Sequence, residues 1–185
     1  MWTVALFWVW WLGIGEFRGP QVRCYTLRLL TIAIMASAGW VPASAETLAE
    51  KMGKAIPDTD VESIRTLALK NLQTALCDPD KHCTPATSDE FASPPISIAE
   101  GRVAMVQGAI SALIQFCGLD YKRNFVPMMD YNRHELKMSE RALSLIVLMH
   151  GIRQAEQLIS YKAELKSCPE GLRAKLDAEL PKLPE

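Results

Sequence analysis

Histidine is scarce in this chain, at three of 185 residues, and tryptophan is confined to positions 2, 8, 10, 11 and 40. The catalytic and cofactor signatures are missing as well. There is no Cys-x-x-Cys pair, which removes dithiol redox catalysis and zinc-ribbon chemistry, and no Cys-x-x-Cys-His haem site. Gly-x-Ser-x-Gly, the Gly-x-x-x-x-Gly-Lys phosphate loop and the Gly-x-Gly-x-x-Gly dinucleotide turn do not occur. "NRHELK" at 132–137 begins like a zincin helix, but Met138 stands where the second histidine is needed, so that match fails. A clustered basic face is also lacking. The densest basic stretch, 120–141, sets Lys122, Arg123, Arg133, Lys137 and Arg141 among Asp120, Asp130, Glu135 and Glu140, which argues against nucleic acid as a partner.

What is present begins with an export signal. Residues 29–41, "LLTIAIMASAGWV", follow Arg23 and Arg28 and lead into Ala43-Ser44-Ala45: a basic end, a short apolar core and an A-x-A site. Thirteen residues of helix reach about 20 Å, short of a hydrocarbon core of ~30 Å. Cleavage after Ala45 is the expectation, leaving 46–185 as a single helical domain. Upstream, "WTVALFWVWWLGIG" at 2–15 has no basic residue before it. A translation start near Val22 would make 1–21 an artefact of start assignment; a two-part signal and a retained membrane hairpin are the competing readings. Membrane contact is expected only through an uncleaved leader. Cys24 has no Leu-x-x-Cys lipobox around it.

The leader removes Arg18, Arg23, Arg28 and Glu16, so the 140 residues that follow carry 17 basic and 20 acidic side chains, a net charge of −3 against −1 for the whole chain. It also removes Cys24 and leaves Cys77, Cys83, Cys117 and Cys168. An even count in an exported chain suggests a disulfide framework with three possible pairings. Cys117 with Cys168 and Cys77 with Cys83 is the favoured one. Pairing of Cys77 or Cys83 with Cys117 or Cys168 is the alternative, and it would pin the long loop between them to the bundle.

Apolar residues recur at helical spacing and strand-type alternation is absent. Helices are expected at about 60–76, capped by Asp60; at 98–117, opened by a Ser97–Glu100 capping box and stopped at Gly118; and at 125–136, capped by Asn124. A long central one follows at 139–163, and a last one at 169–180 with Pro169 in its first turn. Residues 46–55 would add an amphipathic turn or two, and 77–95 reads as one long loop. Ala104, Gly108 and Ala112 form a line of small residues expected to meet Gly151 and Ala155 on the central helix. The fold class is all-α: a small irregular bundle of four to five helices stapled by two disulfides.

Four places merit weighing for function. "CDPDKHC" at 77–83 gathers thiols, His82 and two aspartates, but a local disulfide outweighs a zinc or copper site, so no metal is expected. His150 lies in the apolar middle of the central helix, where a satisfied core histidine is the plain reading and a pH-sensitive one the sharper. His134 beside Glu135 reads as surface. "NFVPMMDY" at 124–131 groups Phe125, Val126, Met128, Met129 and Tyr131 as core filling under a short helix, as an interaction surface, or, least, as thioether ligands for Cu(I).

These observations point to a periplasmic or secreted protein without cofactor or enzymatic activity, acting through contact with another envelope or secreted protein. The candidate surface is Phe125, Met128, Met129, Tyr131, His134 and His150, with the 77–97 loop and the 121–138 segment most exposed. The alternative is a small-molecule or metal-ion binder of the envelope, with Met128, Met129, His134 and His150 lining a space between helices two, three and four.

Overall fold

Pro57 sets the start of the first helix: extended at φ −65°, it offers its carbonyl to the amides of Asp60 and Val61. Helix α1 thus runs Asp58–Lys70 in a computed structural model that describes residues 53–183. The leader, the cut after Ala45 and the stretch at 2–15 lie outside the described residues, as does most of 46–55. Asp60 is not the cap; with Asp58 it sits in the first turn, where a carboxylate suits the helix dipole. Nor does the helix reach 76. Asn71 donates its side-chain amide to the Leu67 carbonyl at 2.8 Å and ends it. A short 3₁₀ turn, Leu72–Thr74, then buries Leu72 completely.

The segment expected to be one loop has structure of its own. Strands β1 (Leu76–Asp78) and β2 (Lys81–His82) pair antiparallel in a small hairpin whose turn lies within the ring closed by Cys77 and Cys83. Helix α2 (Ser88–Ala92) opens with a capping box between Thr87 and Glu90. Two ties fasten this region to the bundle. Ser144 donates to the Leu76 carbonyl at 2.6 Å. Arg141 pairs with Glu90 and also donates to the carbonyls of Thr84 and Pro85, each at 3.1 Å. The guanidinium holds the Glu90 carboxyl down at about 2.

Helix α3 (Ile98–Phe116) begins at the expected Ser97–Glu100 capping box and ends at Cys117, with Gly118 left-handed at φ 71°. Helix α4 (Lys122–His134) starts three residues earlier than expected, behind Tyr121. Asn124 is therefore no cap, and its side chain is free to turn inward. Helix α5 (Glu140–Glu164) is capped by Ser139, whose side chain accepts from the Ala142 amide. Helix α6 (Leu172–Glu179) starts after left-handed Gly171, so Pro169 lies in the turn before it rather than in its first turn. Six α-helices thus stand among the described residues, the addition being α2.

The core is built on α3 and α5, with α1 laid across them. Leu69 and Leu72, Met105 and Ile114, and Leu143, Leu145, Ile146 and Met149 are fully or nearly fully buried. Small residues permit the approach of α3 to α5, but from one side only. A Cβ on Gly108 would stand 2.5 Å from the His150 carbonyl oxygen, whereas one on Gly151 would meet nothing within 4 Å. The expected facing line of Gly151 and Ala155 is exposed instead. The sulfurs of Cys117 and Cys168, and of Cys77 and Cys83, are at bonding distance in the favoured pairing. No described helix is long and apolar enough to cross a membrane.

Candidate functional site

Helices of consecutive order present side chains in rows four residues apart, and two such rows face each other across α3 and α4. On α3 the row is Glu100, Val103, Ala104 and Gln107; on α4 it is Asn124, Met128 and Asn132, flanked by Pro127 and Tyr131. Leu136 and Ile146 complete the walls of an open groove of about 520 Å³. Its exposed apolar side chains are large. Val103 is 54 % exposed, Tyr131 56 % and Leu136 47 %.

Of the residues the sequence singled out, Met128 and Tyr131 line the groove, and the others do not. Met129 is buried in the core and helps hold α4 down. His134 is exposed at the end of α4. Phe125 is half-buried with its ring centroid 4.9 Å from that of His150. Of Met128, Met129, His134 and His150, Met128 alone lines this groove. Cys77 and Cys83 are bonded to each other, and His82 Nδ1 lies 3.2 Å from the Ala75 carbonyl. Among the described residues no group of three His, Cys, Asp or Glu is placed to hold a metal ion.

Four groove residues escaped the sequence reading. Val103 is in the apolar pattern of α3, but that helix is apolar nearly all round, and periodicity did not show which side stays uncovered. Leu136 follows the helix end. Gln107 and Asn132 are neutral amides with no pattern attached to them. Their signal lies only in the i, i+4 rows they share with Val103 and Met128.

His150 sits below this groove. It is 2 % exposed, and its Nε2 is 3.0 Å from Ser111 Oγ. Asn124 donates its amide both to Ser111 Oγ at 2.9 Å and to the Gln107 carbonyl at 3.2 Å. A buried polar chain so bonded joins α5 through α3 to α4. Loss of hydration pushes the imidazole down to about 4. The folded state therefore refuses a proton that the unfolded chain accepts below about pH 6.5. Stability from this group is complete above pH 6.5 and falls as pH drops toward 4. Between pH 7.5 and 5 the loss is about 2 kcal/mol, of which His150→Gln should abolish most. Urea unfolding at the two pH values checks this; an unchanged pH dependence in the variant would remove His150 as the cause. Glu90, held low by Arg141, adds its own loss only below about pH 4.5.

No protein-family model, curated protein or solved structure matches this chain.

Proposed function

We propose that this chain is an exported, non-enzymatic binding protein whose α3–α4 groove holds a segment of a partner protein. One observation carries the reading. Of seven exposed large hydrophobic side chains among the described residues, Val103, Tyr131 and Leu136 lie together in this groove. Scattered apolar side chains are ordinary on a protein surface, but a cluster around a concave feature marks an interaction site.

Two further features bear on the class of partner. A stable dimer uses about 20–30 residues on each side, whereas the groove has apolar walls of seven: Val103, Ala104, Pro127, Met128, Tyr131, Leu136 and Ile146. That suits a short segment of a partner rather than a broad face. Its one acidic side chain, Glu100, is already bonded to Ser97 in the capping box, leaving no acid–base pair for chemistry. Two disulfide-bonded cysteine pairs fit an oxidising compartment outside the cytoplasm, and we place the protein in the periplasm or the medium. A small organic ligand is the second reading, because the volume lies within the ~300–1,000 Å³ range of such sites.

A photo-cross-linking side chain at position 131, tested in the living cell, separates these. A discrete protein adduct is expected there and not from position 159, where Ile159 is equally apolar and 69 % exposed on α5. Val103→Asp should remove the adduct. Identical adducts from both positions, or none from 131, would count against protein docking.

A further inference from the structure

Helix α4 is lightly anchored, and it covers the buried histidine. Its buried residues are Met129 and Asn132, against nine on α3 and seven on α5. Pro127, inside the helix, has no amide to donate, so α4 lacks one of its own main-chain bonds. Left-handed backbone turns the chain on either side, at Gly118 (φ 71°) and at Lys137 (φ 51°). A lysine seldom takes such a conformation, so the turn after α4 is strained.

Two contacts fix α4 over His150. The Phe125 ring lies 4.9 Å from the imidazole, centroid to centroid, and Asn124 donates to the Ser111 Oγ that stands 3.0 Å from Nε2. The groups around the ring are poorly suited to a charge. Helix α3 brings Ser111 and has no ionisable side chain beyond Arg102. On α4, Lys122 is exposed and Arg123 is taken up by Asp177 of α6. Helix α5 itself contributes Arg153, one turn further on and paired with Glu156 at 3.4 Å, while α1 turns Val61, Ile64, Ala68 and Leu69 inward. An imidazolium here is a cation among apolar, hydroxyl and amide groups, which is costly. Raising α4 admits water to the ring and removes that cost.

We propose that α4 is a lid over His150 that opens when the imidazole takes up a proton, so that acid dismantles the wall α4 gives to the groove. Asn124, Pro127, Met128, Tyr131 and Asn132 leave with it. The lid follows from the fold alone; only its consequence for a bound partner rests on the docking reading above. Linkage sets the size of the effect. The covered ring stays neutral down to about 4 and the uncovered one titrates near 6.5, so opening is about 30-fold more favourable at pH 5 than at pH 7.5.

Amide hydrogen exchange of the whole chain as purified from cells tests this at the two pH values, after correction for the intrinsic pH dependence of exchange. Amides of 128–134 should exchange through an opening less costly than the unfolding of α3, seen as faster exchange than in 104–114. That opening should be about 30-fold more frequent at pH 5. In His150→Gln, which keeps Arg123, Arg133 and His134 on α4, the change should shrink to less than ~3-fold. Exchange in α4 that ignores pH, or α4 amides that open only together with those of α3, would overturn the lid. Those wild-type measurements decide it even if the variant does not fold. A folded His150→Gln that keeps the full response would overturn the histidine as the trigger. Absence of the position-131 adduct at pH 7.5 would remove the partner and not the lid, whose exchange signature needs no partner.

Discussion

Gly108→Ala is expected to destabilise the fold by about 3 kcal/mol, although alanine is the better helix former by ~1 kcal/mol. The added Cβ would stand 2.5 Å from the His150 carbonyl oxygen and 3.2 Å from Arg153 Cβ. The nearer obstacle is backbone, which cannot rotate out of the way, so α3 and α5 must move apart. Separation loosens the packing of buried Met105, Leu145 and Met149, and close-packed interiors resist it. Two other glycines calibrate the effect. At Gly101 the obstacles are Met149 Cε at 2.9 Å and Val61 Cγ1 at 3.0 Å. Thioether ends shift easily, so Gly101→Ala should cost only about 1 kcal/mol. Gly151 faces open space on α5, and Gly151→Ala should stabilise by roughly 0.5–1 kcal/mol. Chemical denaturation of the three variants should give that order. A neutral Gly108→Ala would mean that α3 and α5 are not so closely packed.

That series also shows where sequence pattern is informative and where it stops. The helices were legible because their signals are local: Ser97 with Glu100 proves to be a capping box, as its spacing predicts. Thr87 with Glu90 is the same four-residue signature, but it stands in a Pro-rich stretch with no apolar periodicity after it, and it marks α2. Gly108 was legible as a point of close approach, but its partner was not. Small size permits contact without saying what fills it, and His150 backbone does so rather than Gly151. The groove was legible in half. Met128 and Tyr131 stand out as large apolar residues on a polar helix, while Val103 is indistinguishable from the buried Val106 until the packing of α5 decides between them. Asn132 carries no signal at all in a sequence, because only the packing of α4 against α3 sets it in the groove wall.

Replacing Cys117 and Cys168 together by alanine is expected to cost about 4 kcal/mol, against about 2 for Cys77 with Cys83. The pairs differ because the first spans 51 positions and the second 6, and a longer closed loop removes more freedom from the unfolded chain. The long loop contains α4 and α5, so the bond fastens the end of α3 to the end of the helix that crosses it. A second, local effect separates from the first. Helix α6 has no buried residue and is held to the body by this disulfide and by Arg123. Arg123 pairs with Asp177 and donates to the carbonyls of Asp177, Leu180 and Pro181 at 3.0, 2.9 and 2.9 Å, a cation set where the helix dipole is negative. Arg123→Ala should therefore speed amide exchange in 172–180 while leaving exchange in α3 and α5 nearly unchanged. The double cysteine variant should speed both, because it lowers global stability as well as freeing the end. Equal costs for the two cysteine pairs would show that native-state strain or residual structure, rather than loop length, sets what each bond contributes.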